Sequence, residues 1–169
     1  MWLYALIIVG VIVLDQASKW LVLLNMELYE SVPLIKDVLH ITYIRNPGAA
    51  FGSFRDARWV FLVVSVVGIA AVIFYLFKFK PKEWYVAIPL SMIAGGGIGN
   101  MIDRLFYGES FGDGKVVDFI DFCAFPKLWH WIFNVADIFV VVGAFVLFFY
   151  LLIDVIKEFK NPTEEKKDV

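Results

Sequence analysis

The stretch WVFLVVSVVGIAAVIFYLF, Trp59 to Phe77, decides the class of this protein. It runs for 19 residues without a charge, close to the ~20 that a helix needs to cross a bilayer. In lipid only helices and closed barrels satisfy their own backbone, and an uninterrupted run of this length is helical. Moving outward, three further apolar segments share its length. WYVAIPLSMIAGGGIGNMI begins at Trp84 and ends against Asp103-Arg104, and the helix is expected over 84–106. The first segment covers about 2–24 and contains Asp15 and Lys19; the last covers about 131–153 and contains Asp137. Trp2, Trp20, Trp59, Trp84, Trp129 and Trp131 fall near segment ends, as an interfacial aromatic belt predicts.

Composition agrees. Of 169 residues, 61% are hydrophobic and 18% aromatic, against about 45–50% apolar for ordinary soluble domains. The net charge of −2 leaves no basic surface for nucleic acid. The single cysteine, Cys123, excludes an internal disulfide and a multi-cysteine metal site. His40 and His130 stand far apart and fit no HExxH spacing. The opening MWLYALIIVGVIVLDQASKW lacks the basic n-region of a signal peptide and carries charge where a cleavage site would fall. A retained first helix is expected. Residues 1–156 are read as one domain and 157–169 as a polar tail.

The connections differ in kind. KFKPKE, Lys78 to Glu83, is short and holds Lys78, Lys80 and Lys82, the signature of a cytoplasmic loop. Lys157, Lys160, Lys166 and Lys167 follow the fourth helix on the same side. Both chain ends are therefore expected in the cytoplasm, with the two long loops outside. In the first of these, within 25–57, VLHITYIR (Val38 to Arg45) is β-branched and aromatic and stops at Asn46-Pro47-Gly48. A small β-structure on the membrane surface is expected there. The second carries GESFGDGK, read as a glycine-rich flexible stretch.

With four alternating helices, the polar residues gather at one end. Asp15 and Lys19 lie in the outer half of the first helix, Asn100, Asp103 and Arg104 at the end of the third, and Asn134 and Asp137 at the start of the fourth. Ionisable residues in a membrane segment are costly and are a functional hypothesis by default. Asp15 and Lys19, at i, i+4 with the acid first, fit a structural ion pair. NxxD occurs as Asn100 to Asp103 and again as Asn134 to Asp137; taken alone, either is interhelical hydrogen-bonding glue. Gly95 and Gly99 form a GxxxG contact face, with no strand before them to make a dinucleotide site. Ser18 and Lys19 point about 100° apart and form no Ser-Lys pair. Cys123 and His130 are read as packing residues.

Paired carboxylates remain as the chemical engine. Two aspartates sharing a site do not both ionise readily, so one holds a proton. The ionised one takes a proton from water while the other polarises a carbonyl. Asp137 is one member; Asp103, Asp118 and Asp121 are candidates for the other. Composition does not choose among them. A small transporter using its Asp-Lys and Asp-Arg groups as an ion relay is the alternative, although the charges sit at one interface and no inverted repeat is visible. An assembly factor docking through the GxxxG face is a third reading.

Five short motifs choose. LDQASK (Leu14 to Lys19), RNPGAAFG (Arg45 to Gly52), GNMIDR (Gly99 to Arg104), VVDFI (Val116 to Ile120) and FNVAD (Phe133 to Asp137) resemble, in order, the motifs of the bacterial lipoprotein signal peptidases, or signal peptidase II. The resemblance implies four transmembrane helices with a small extracytoplasmic β-cradle. It implies an aspartic peptidase of the bacterial cytoplasmic membrane that removes signal peptides from diacylglyceryl-modified prolipoproteins, without cofactor or metal. Membrane phospholipid is the other expected partner, and a monomer is expected. Asp118 and Asp137 match the catalytic aspartates. Asn46, Asn100, Asp103, Arg104 and Asn134 match supporting residues, and Asp15 and Lys19 residues of a structural kind. Two departures stand out. The link from Asp103-Arg104 to Val116 is about six residues longer than the family's spacing, with glycines at 112 and 114 expected to let the extra residues loop out. Ile138 stands where a small polar residue often follows Asp137.

Overall fold

The four apolar runs form four helices, each long and apolar enough to cross a membrane. The computed structural model describes residues 2–48, 58–125 and 131–160. Helix α1 spans Trp2–Asn25, α2 Arg58–Phe79, α3 Trp84–Phe106 and α4 Val135–Lys160. A sheet caps one end, with strands β1 (Ser31–Ile35), β2 (Leu39–Asn46), β3 (Val116–Phe122) and β4 (Ile132–Phe133) in the order β1-β2-β3-β4. All three pairings are antiparallel. Residues 49–52 of the RNPGAAFG motif, Arg55, Lys127, Trp129, His130 and the tail from 161 lie outside the described residues.

Helix α3 is the hub. Its mean hydropathy is 1.4, against 2.8 for α2 and 2.7 for α4. Glycine, with no side chain, lets three helices approach it. A Cβ on Gly95 would meet Val11 of α1 at 2.8 Å, one on Gly96 the Ala136 carbonyl of α4 at 2.5 Å, and one on Gly97 Ile69 of α2 at 3.0 Å. Successive positions turn by about 100°, so AGGGIGN serves three partners in one turn. Gly99 faces α1 again, where a Cβ would collide with the Asp15 carboxylate. The GxxxG face is thus the α1–α3 seam. Opposite faces of α2 and α4 expose Val63, Val64, Val67, Phe145 and Phe148, as lipid-facing surfaces do.

Three expectations change. The segment VVDFIDF, expected as loop just before the fourth helix, is a strand. Its Val117 and Phe119 are buried with Val22 of α1 and Tyr43 of β2, and β-branched and aromatic residues suit such a packed strand. Helix α4 starts at Val135, later than the expected 131, because Ile132 and Phe133 pair with Asp121 and Ile120 of β3. It also runs on to Lys160, since VIKEF continues the helix with no breaker before Asn161-Pro162. Finally, the long link after α3 folds back. The N–H of Gly112 donates to the Leu105 carbonyl at 3.0 Å and that of Gly114 to Arg104 at 3.1 Å. Gly112 has φ +83° and faces the Trp59 indole of α2, and Gly114 lies so close to the Asp103 carbonyl that no Cβ fits. Glycine is needed at both positions, and the extra residues are held against α3 and α2 at the rim.

Candidate active site

Five acidic residues at the sheet end sort into distinct settings. The first group is built on α1 and α3. Lys19 and Asp15 pair one turn apart at 2.8 Å, and Lys19 also meets Asp103 at 2.9 Å; all three side chains are fully buried. An isolated charge there would be prohibitive, and the arrangement is tolerable because each carboxylate oxygen has a donor and the Lys19 ammonium has three acceptors. Asp15 accepts the backbone N–H of Ala136 at 2.9 Å, and Asp103 that of Val117 at 3.0 Å. Ala136 and Val117 are the residues immediately before Asp137 and Asp118. The triad therefore clamps the backbone at both strand and helix that carry the other two aspartates. Gln16 completes it, donating to Asp103 at 3.0 Å and the Gly99 carbonyl at 3.1 Å while accepting from the Tyr107 hydroxyl at 2.9 Å.

The second group is Asp118 and Asp137, dressed by amides instead of a cation. Asn46 lies opposite Val116 in the β2–β3 ladder; Asp118, two residues on, shares its face. The Asn46 amide donates to Asp118 Oδ2 at 2.7 Å, and the Asn134 amide to Asp118 Oδ1 at 2.6 Å. Asn134 is also the N-cap of α4. Its Oδ1 accepts the Asp137 N–H at 3.0 Å, and Asp137 Oδ2 accepts the Asn134 N–H at 3.2 Å. That reciprocal pair is a capping box, which makes the second NxxD a helix start. Asn100 donates to Asp137 Oδ1 at 2.7 Å, and its own oxygen accepts from Asn134 at 3.0 Å and from Lys19 at 3.0 Å. One chain of hydrogen bonds thus runs from the triad to both aspartates.

Burial separates the two. Asp118 is 1% exposed, whereas Asp137 is half-buried. Burial pushes the Asp118 carboxyl up to about 6, and the negative charge of Asp137 pushes the same way; the amides of Asn46 and Asn134 and the Lys19 ammonium pull against them. The other candidates are elsewhere. Asp103 belongs to the triad. Asp121, three positions from Asp118 and so on the opposite strand face, accepts from Thr42 at 2.8 Å. Arg104 donates to the Asn100 carbonyl at 3.1 Å and lies over the Phe61 ring, 5.3 Å from its centroid. Ile138 is 41% exposed and makes no side-chain demand on Asp137. Gln16 and Tyr107 were not among the expected site residues. Gln16 stands inside LDQASK, next to both members of the i, i+4 pair, which is the signal that could have found it.

Fold and site together define a helical membrane protein that gathers carboxylates and side-chain amides at one end of its bundle. The model of the signal peptidase II family matches residues 7–153. The lipoprotein signal peptidase of Desulfitobacterium hafniense is 39% identical over 156 residues, covering 92% of this chain and 97% of that protein. That of Halothermothrix orenii is 41% identical over 146 residues, covering 86% and 92%. A solved structure titled as a bacterial membrane enzyme superposes with a TM-score of 0.79 at 29% identity, covering 90% of this chain and 94% of the other. The chain belongs to the signal peptidase II family, a family of aspartic peptidases.

Proposed function

We propose that this protein cleaves diacylglyceryl-modified prolipoproteins on the N-terminal side of the lipid-bearing cysteine, with Asp118 and Asp137 as the catalytic pair. The observation that carries the pair is Asn134, whose amide and backbone bind both carboxylates at once. Asp118, with its acidity weakened by burial, holds the shared proton. Asp137, at the start of α4 where the helix dipole favours negative charge, serves as the base.

The steps balance. Asp137 takes a proton from water as the water oxygen bonds to the scissile carbonyl carbon. Asp118 gives its proton to the carbonyl oxygen, and a tetrahedral diol forms. The carbon–nitrogen bond then breaks as the amine takes the proton held by Asp137, and the diol returns a proton to Asp118. Asn46, Asn100 and Asn134 fix the two carboxylates. Asp103 and Arg104 support β3 and the end of α3, and Asp15 and Lys19 hold the backbone beneath.

The proposed location is the bacterial cytoplasmic membrane, with both termini in the cytoplasm and the aspartates at the outer face. The lysines of the α2–α3 connection and of the end of α4 support this orientation. A substrate anchored by its acyl chains presents its scissile bond at the outer interface, where the sheet end of the bundle meets it. Membrane phospholipid surrounds the apolar helix faces, and the working unit is a monomer. Incubating purified protein with a diacylated lipobox peptide, followed by mass spectrometry, tests the reading. Cleavage immediately before the cysteine is expected; intact peptide after exposure to well-folded protein would sink it.

A further inference from the structure

At the end of the bundle farthest from the aspartates, α2 and α4 stand apart over α3 and leave a cleft of about 600 Å³. Its walls are apolar, with Val72 of α2, Leu90 of α3, and Leu147 and Leu151 of α4. Leu151 is 50% exposed, so the cleft opens toward lipid. Its mouth is different. Glu83, the residue before α3, and Asp154 of α4 both line it, with Tyr150 between the helices stacked on Tyr85 at 4.3 Å. None of the lysines of the α2–α3 connection or of the end of α4 lines the cleft. Neither acid takes part in an ion pair among the described residues.

The floor leads to the catalytic end. Val86 and Leu90 line the cleft, and Ile93, Gly97 and Asn100 continue that face of α3 at alternating spacings of three and four. Asn100 is bonded to Asp137. Seventeen residues separate Glu83 from Asn100 along α3, and seventeen separate Asp137 from Asp154 along α4. At 1.5 Å per residue each helix runs about 26 Å between these positions, close to the ~30 Å thickness of the hydrocarbon core, and the cleft occupies the Glu83–Asp154 end of that run.

A signal segment has the complementary pattern. It carries a basic n-region followed by 7–15 apolar residues ahead of the cleavage site. Laid as a helix along this face of α3 and into the cleft, with the scissile bond at Asp137, its basic residues fall about 17 positions earlier, at the acidic mouth. We infer that the α2–α4 cleft seats the apolar helix of the substrate's signal segment, and that Glu83 and Asp154 receive its basic n-region. This rests on the peptidase reading above and adds to it a second recognition point, some 26 Å from the chemistry.

The test uses two diacylated lipobox peptides that differ only in the n-region, one with two lysines and one with two glutamates. Wild-type protein in nanodiscs is expected to cleave the lysine peptide with a KM about three- to tenfold lower, the range two partly exposed ion pairs supply, and the difference should shrink in high salt. The charge reversal E83K/D154K is expected to invert the preference, and the milder E83Q/D154N to erase it, so that a folding defect in the first does not decide the matter. A photo-crosslinker replacing Leu147 should capture the apolar part of the peptide. If wild type cleaves both peptides and the KM ratio is the same in both double variants, the cleft inference falls while the peptidase reading stands. Failure of the crosslinker to capture a peptide that is being cleaved overturns it as well. Cleavage of neither peptide removes the peptidase reading and this inference together.

Discussion

Two sets of carboxylates lie side by side at the sheet end of this bundle, and they are solved differently. Asp15 and Asp103 flank the ammonium of Lys19 in full burial. Asp118 and Asp137 are held by the amides of Asn46, Asn100 and Asn134. A cation at contact distance offsets much of the cost of burying a carboxylate and fixes its position. Amide donors orient it while leaving its proton free to exchange. Charge pairing therefore suits the set that clamps backbone, and amide dressing suits the set proposed to do chemistry. The coupling between them is direct, because each triad carboxylate grips the backbone N–H just ahead of one member of the pair.

The strongest way to break this division is at the pair. Asp118→Asn and Asp137→Asn should each lower turnover of a diacylated peptide by about 10³- to 10⁴-fold, the upper range for acid–base groups, while circular dichroism still reports a folded helical protein. Equal activity in either variant would show that the amide-dressed pair is not the engine. At the triad the effect should appear in stability. Lys19→Met leaves two buried carboxylates without a cation and should cost about 3–5 kcal/mol, read as a lowered Tm in detergent. A Tm unchanged by that substitution would mean the triad is not a clamp. Gly99→Ala drives a methyl group into the Asp15 carboxylate and should cost about 1–3 kcal/mol. It should also reduce kcat, since Asp15 would release Ala136 and with it the start of α4.

The smallest effect sharpens the contrast through pH. The unfolded chain releases an aspartate proton near 3.9, whereas folded Asp118 holds its own to about 6. Between those values the folded state binds more protons, so stability conferred at this position falls as pH rises. The Tm of wild type should decline relative to that of Asp118→Asn from about pH 4 to about pH 6. The same proton sets the alkaline limb of activity, and kcat/KM should fall above about pH 6. A rate that climbs steadily through that window would assign the proton elsewhere.

How much of this could be read beforehand varied with the length of the pattern. The four helices are legible because apolar runs of membrane length have few alternatives. The ion pair of Asp15 and Lys19 is legible because i, i+4 geometry is local. VVDFIDF was harder. Seven residues between a glycine-rich link and a helix carry too little periodicity to announce a strand, and its partner β4 has only two residues. The two NxxD copies look alike in sequence, yet one lies within α3 and sends its two side chains to different groups, while the other is a capping box. Nothing within four residues distinguishes them; the neighbouring elements do.

By itself, then, the chain's sequence determined that four helices cross a membrane, that polarity collects at one end, and that its five ordered motifs resemble one family. Those properties depend on hydropathy, spacing and composition, which are local. The resemblance already pointed to Asp118; only the tertiary structure supplied the physical reason that it, and not Asp103 or Asp121, shares Asn134 with Asp137. Asp103, Asp118 and Asp121 are equivalent as letters, but strand alternation turns Asp121 away, Lys19 captures Asp103, and the β2–β3–β4 ladder delivers Asp118 to Asn134 and the start of α4. Carboxylate chemistry is set by whichever groups lie within hydrogen-bond reach, and those neighbours come from parts of the chain as distant as residues 19, 46, 100 and 134.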